Sequence, residues 1–91
     1  MDIEFDPAKD AKNRRKHGVS LALAEDFEWE TAVWREDDRD DDYGEQRFEV
    51  TGLIGDQVHV FVFCLRGEAI RAISLRRAIP KEARRYANHH D

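Results

Sequence analysis

Three consecutive stretches decide the fold: Arg47-Phe48-Glu49-Val50-Thr51-Gly52-Leu53-Ile54, the pair Gly55-Asp56, and Gln57-Val58-His59-Val60-Phe61-Val62-Phe63-Cys64-Leu65. The first alternates along its length and reads as a strand with one face buried. Gly55-Asp56 is a tight-turn pair. Val58–Leu65 is apolar throughout except for His59, as a central strand covered on both faces requires. A second turn at Arg66-Gly67-Glu68 leads into a further strand, Ile70–Leu75. The chain from Arg47 to Leu75 is therefore a meander of three antiparallel strands.

Register follows from the turns. A two-residue turn at Gly55-Asp56 pairs Ile54 with Gln57 and sets Thr51 opposite Val60, Glu49 opposite Val62 and Arg47 opposite Cys64. Phe48, Val50, Ile54, Phe61 and Phe63 then form one apolar face. Glu45, Arg47, Glu49 and Thr51 lie on the other, beside Val58, Val60, Val62 and Cys64. Either turn at Gly67 keeps Arg71 on the Arg47 face, because pairing has a period of two; only a bulge changes this. On the same parity Leu53, Val58, Val60, Ile73 and Leu75 make the far end of the Arg47 face apolar.

Outward from the meander, Ile3–Phe5 reads as an edge strand. Asp6-Pro7 opens a helix, with aspartate as N-cap and proline at the first helical position. The helix runs from Ala8 to His17 and ends at Gly18. Its apolar stripe is thin, chiefly Ala8 and Ala11. Ser20 caps a second short helix that ends near Glu28, and Thr31–Trp34 reads as a strand. Glu36–Gly44 is a polar acidic loop, and Pro80 opens a final helix. The order β-α-α-β-β-β-β-α predicts a mainly antiparallel twisted sheet with two N-terminal helices and one C-terminal helix, an α+β fold. Residues 1–91 read as one domain.

Charged residues make up 38% of the chain and the net charge is −5. The charge is uneven. Residues 36–45 hold seven acids and one base, and without them the chain has 13 acids and 14 bases. From Arg66 onward there are seven bases and three acids. Local fields steer partners more than the total does, so an anionic partner fits the basic third. No apolar run approaches the ~20 residues of a membrane span. One cysteine excludes a disulfide framework and a thiolate zinc cluster, and the N-terminus lacks the pattern of a signal peptide. The expected compartment is the cytoplasm. Four scattered histidines and one cysteine form no readable metal set, and no Walker loop or dinucleotide-binding turn is present. No metal or cofactor is expected.

Glu45, Arg47 and Arg71 converge on one sheet face. Two arginines and a carboxylate can hold a phosphate and move a proton. The same three side chains also read as ion pairs on a solvated sheet end, which spacing alone favours because surface charge pairs are common. His17 reads as a helix C-terminal residue or a base, His59 as a packed histidine and Cys64 as a packed thiol. Trp29, Trp34 and Tyr43 flank the acidic loop, where they could stack on bases or join the core.

The chain resembles the BrnT family of ribonuclease toxins from type II toxin–antitoxin pairs. The resemblance rests on Phe5-Asp6-Pro7-Ala8-Lys9, Asn13, Lys16-His17-Gly18-Val19-Ser20, Ala24 and Phe27, then Glu45-x-Arg47, Gly52 and Arg66-Gly67. It continues through Arg71-Ala72-Ile73-Ser74-Leu75-Arg76-Arg77-Ala78 to Glu82, Arg84 and Tyr86. It implies a RelE-like fold, metal-independent cleavage of RNA that inhibits translation and growth, and neutralisation by a BrnA-like ribbon-helix-helix antitoxin. Operator DNA would be met only through that antitoxin. Glu45, Arg47 and Arg71 fit the catalytic group, with Arg76 and Tyr86 approaching from the strand end and last helix and His17 as second-choice base. The alternatives are a non-catalytic protein-binding module and a degenerate toxin that only binds an antitoxin. The antitoxin is expected on the apolar end of the Arg47 face, around Val58, Val60, Val62, Ile73 and Leu75, with its acidic side chains on Arg47, Arg71 or Arg76.

Overall fold

A computed structural model describes residues 2–37 and 46–90, with Glu36 and Asp37 described through their backbone. Five strands form one sheet: β1 (Ile3–Glu4), β2 (Val33–Asp37), β3 (Arg47–Ile54), β4 (Gln57–Arg66) and β5 (Ala69–Arg77). Two helices, α1 (Pro7–His17) and α2 (Pro80–His89), and a 3-10 segment, Leu21–Asp26, complete the α+β fold. The spatial order is β1-β5-β4-β3-β2. The sheet is mixed, not purely antiparallel, because β1 joins β5 in parallel through Ile3↔Ile70 and Glu4↔Arg71. The second N-terminal helix expected after Ser20 is the 3-10 segment; Ser20 does cap it, accepting from the Ala22 amide.

The meander has the register that its turns demand. Ile54 faces Gln57, Thr51 faces Val60, Glu49 faces Val62 and Arg47 faces Cys64. Gly55 and Gly67 carry the turns at φ 63° and 58°, a conformation that costs side-chain-bearing residues steric strain.

The β4–β5 pair departs from the expected pattern in one place. Cys64 faces Arg71 and Phe63 faces Ala72, but Val62 faces Ser74, so Ile73 is an extra residue in β5. This bulge inverts the parity beyond it. Leu75 comes opposite Phe61 and Arg76 opposite Val60. Leu75 therefore leaves the Arg47 face, where alternation had put it, and is fully buried on the Phe61 face. Arg76 takes its place on the Arg47 face.

The core fills the Phe61 face. Val50, Phe61, Phe63, Ile70, Ala72 and Leu75 contribute from the sheet. Leu21 and Ala24 of the 3-10 segment and Phe27 just after it cover them, and all three side chains are buried. Gly52 lies beneath Phe27, and a Cβ there would stand 2.7 Å from the Phe27 ring. The ring sits against bare backbone, so this glycine serves close packing.

Helix α1 has few apolar residues and is held by polar contacts. Asp6 accepts from the Ala8 amide at its start and Gly18, at φ 74°, ends it. Asp10 accepts from the Leu21 amide at 2.7 Å and the Ser20 hydroxyl at 3.0 Å, tying the helix to the 3-10 segment; these bonds hold its carboxyl below the usual range. Asn13 makes the main connection. Its buried amide donates to the carbonyls of Val19 and Leu75, both at 2.8 Å, and accepts from the Leu75 amide at 3.2 Å. Leu75 lies on the edge of β5 that the two-residue β1 does not reach. The Asn13 side chain thus supplies the ladder bonds a longer neighbouring strand would have made. Replacing Asn13 with alanine leaves these groups unpaired in a buried site. We expect Asn13→Ala to lower stability by about 2–4 kcal/mol, read as a fall in the urea midpoint at unchanged slope.

Candidate active site

Cross-strand partners share a face, so the Arg47 face is a grid of three rows. Arg47, Cys64 and Arg71 form the first, Glu49, Val62 and Ser74 the second, and Thr51, Val60 and Arg76 the third. Helix α2 meets the third row. Its N-terminal Ile79 has no hydroxyl to cap with, and Glu82 takes over by accepting from the Ile79 amide at 3.0 Å. Glu82 also receives both guanidinium nitrogens of Arg76, at 2.7 and 2.9 Å. This fork-to-fork pair locks the helix onto the end of β5.

The pair has a marked electrostatic signature. Hydrogen bonding from Arg76 draws the Glu82 carboxyl down to about 2, against the opposing effect of burial. The Glu82 hydrogen bond raises Arg76 in turn, with a smaller contribution from Glu49.

At the other end of α2, the Tyr86 hydroxyl donates to the Thr31 hydroxyl at 2.9 Å. Tyr86, Glu82, Glu49 and Thr51 line a cleft of about 250 Å³ between the helix and β3. Arg71, at the first row's opposite edge, meets Glu4 of β1 at 3.5 Å.

Arg47 lies in a different cleft. Lys9, Lys12, Lys16 and His17 of α1 close over Arg47, Ile73 and Ser74 around about 340 Å³. Every ionisable side chain lining it is a base. Asn13 also lines it, so the residue that clamps α1 to β5 sets the depth of the cleft. The bulged Ile73 and its neighbour Ser74 form the floor. His17 is lowered below the usual histidine value, first by burial and then by the positive charges of Lys16 and Arg76. Its imidazole is neutral at neutral pH and free to accept a proton.

The residues expected to act together divide between these places. Arg47 and His17 share the basic cleft. Arg71 stands in the Arg47 row, paired to Glu4. Arg76 and Tyr86 are engaged beneath α2, and Glu45 lies outside the described residues, as does Tyr43. The ion pair of Arg71 with Glu4 is of the kind that the solvated-row reading expected, and Arg76 is paired with Glu82. Sequence reasoning missed Lys9, Lys12 and Lys16. Their signal was present: positions i, i+3 and i+7 fall on one helical stripe, in a helix with almost no apolar stripe to compete. His59 and Cys64 are buried, as expected of packed side chains, and His59 Nδ1 lies 2.9 Å from the Gln57 carbonyl.

The family model for the ribonuclease toxin BrnT, of type II toxin–antitoxin systems, matches residues 5–82. The chain belongs to that family. No curated protein matches it. Membership brings an antitoxin partner and an RNA substrate with it.

The Arg76–Glu82 pair makes a test of site architecture possible. A carboxyl depressed in the folded state stabilises the fold above its unfolded value near 4.5 and loses that contribution as pH falls toward 2. Glu82→Gln should cost about 1–2 kcal/mol at neutral pH, after allowance for partial exposure. It should also flatten the decline of the melting temperature between about pH 5 and 2.

Proposed function

We propose that this toxin is a metal-independent endoribonuclease, with a RelE-like fold and cytoplasmic action, whose active centre is the cleft between α1 and Arg47. The observation that carries the reading is the gathering of four cationic side chains around His17 in one cleft of about 340 Å³. Such a lining attracts a polyanion and repels a divalent cation.

The chemistry follows from RNA carrying its own nucleophile. His17 takes the proton of a 2′-hydroxyl as its oxygen bonds to the adjacent phosphorus. Arg47 and the α1 lysines hold the non-bridging oxygens as negative charge builds on them, the largest contribution in reactions of this kind. The bond from phosphorus to the 5′-oxygen breaks, and that oxygen takes a proton from a cleft cation or from the imidazolium. The products are a 2′,3′-cyclic phosphate and a 5′-hydroxyl.

Arg71 reaches toward a neighbouring phosphate from the Arg47 row. Arg76, held by Glu82, acts on His17 through its field, and Tyr86 steadies α2 through Thr31. Glu45, two residues before Arg47 in sequence, is the rival proton acceptor. The proposed partner is a BrnA-like ribbon-helix-helix antitoxin that carries the complex to operator DNA. A non-catalytic module that only binds this antitoxin is the second reading, favoured by the ion pairs at Arg71 and Arg76; it yields no cyclic phosphate.

Arg47→Ala should lower RNA cleavage about 10²–10³-fold and abolish growth arrest with the fold intact by circular dichroism. Arg71→Ala should also abolish arrest. Parental cleavage by Arg47→Ala would remove the cleft from consideration. Cleavage should persist in excess chelator, and loss restored by Mg²⁺ would overturn the metal-free mechanism.

The pH profile separates the two bases. Because His17 is lowered, its neutral form survives below the usual histidine range and the rate falls only as pH drops through that lowered value. His17→Ala should remove this acid limb and about 10²–10⁴-fold of the rate. A limb unchanged in His17→Ala and absent in Glu45→Gln would assign the proton to Glu45.

A further inference from the structure

The apolar end of the Arg47 face, where the antitoxin was expected, is smaller than alternation alone predicts. Leu75 has turned into the core, Val60 is buried, and the remaining apolar positions of that face are half-buried. Two large exposed apolar residues, Trp34 and Leu65, lie on the opposite face. Trp34 is 55% exposed and Leu65 50% exposed. With Ile3, Trp29, Phe63 and Ile70 they line an open groove of about 790 Å³. Trp29 and Trp34 stand edge-on to Phe63, each with its ring centre 5.6 Å away, so the groove floor is a rigid aromatic surface continuous with the core. Trp34 comes from β2, the edge strand beside β3.

The charge around the groove differs from that of the active cleft. Asp2 and Glu25 line it. Residues 20–32, which bear the 3-10 segment and Trp29, contain four acids and no base, whereas residues 7–17 contain five Lys or Arg and one acid. The molecule has a basic side for RNA and an apolar side with an acidic rim.

We propose that this groove is where the antitoxin docks, through an apolar segment flanked by lysine or arginine. The inference rests on the toxin reading above and locates its partner. The acidic rim disfavours RNA, whose phosphates it repels. It also disfavours a second copy paired about a two-fold axis, since a self-complementary contact would set acid against acid. A heterologous contact between the groove and the basic α1 of another copy would build a ring or an open filament and cover the active cleft. A separate basic, apolar protein segment meets every feature. Two tryptophans beside a leucine are the residue types that concentrate binding energy in an interface.

Three variants test it: Leu65→Asp and Trp34→Ala, at exposed positions, and Glu25→Lys. The probe is the purified small protein encoded beside this chain, titrated calorimetrically against the full-length toxin. Each variant should bind about tenfold more weakly or worse, the Glu25→Lys loss shrinking in high salt. Each should cleave RNA as the parent does, and each should remain toxic in cells where the antitoxin silences the parent. Parental affinity in Leu65→Asp and Trp34→Ala would overturn the proposal. So would loss of RNA cleavage in the same variants, which would give the groove to RNA. A sedimentation shift to monomer at unchanged antitoxin affinity would give it to a second copy. A parent that binds the antitoxin through the groove yet cleaves no RNA would sink the ribonuclease mechanism and leave the docking surface standing.

Discussion

One side chain holds the arrangement together. Asn13 is buried, its amide makes three hydrogen bonds, and two of them go to the backbone of a single residue, Leu75. Helix α1 is mostly charged and could not attach itself by apolar burial. The sheet edge at Leu75 has no strand beside it among the described residues, and it could not leave its N–H and C=O unpaired. Each solves the other's deficit. The cost of separating them is concentrated in a few bonds, so the position tolerates no residue that lacks both a donor and an acceptor.

The clamp and the bulge at Ile73 act together. The bulge turns Leu75 inward to meet Phe61 and sends Arg76 to the opposite face. The clamp holds α1 against that same point. As a consequence the lysines of α1 stand over Ile73 and Ser74, beside Arg47. Arg76, displaced by one residue from where alternation would have put it, meets Glu82 and secures α2. A one-residue irregularity in β5 thus organises both clefts on this face. Its field also reaches His17, which Arg76 helps keep neutral.

The two sides of the sheet carry opposite chemistry. On one, bases gather around a histidine with burial enough to shift it. On the other, the tryptophans and Leu65 continue the core outward to solvent beneath acidic residues. A toxin needs to meet RNA and to be silenced by a protein, and in the proposed reading separate faces let each surface be built for its own partner. Silencing from the far face would act through the sheet itself: Phe63 lines the groove and pairs with Ala72, the residue before the bulge.

The α+β class and the β3–β4 register were legible in the sequence because the Gly55-Asp56 turn leaves one pairing and the apolar alternation allows only that one. The caps at Asp6 and Gly18 were legible for a similar reason, since they depend on residues adjacent in the chain. The bulge was not, because Ile70–Leu75 is apolar on both parities and no pattern marks Ile73 as the extra residue. The parallel seat of β1 was hidden in two residues too short to carry an alternation. Arg47 and His17 could be named separately from residue type, but their common cleft depends on a bond between Asn13 and a strand 62 positions away. Local rules determine turns, caps and strand faces; which faces meet is decided by long-range hydrogen bonds and a register shift, and those exist only once the chain has packed.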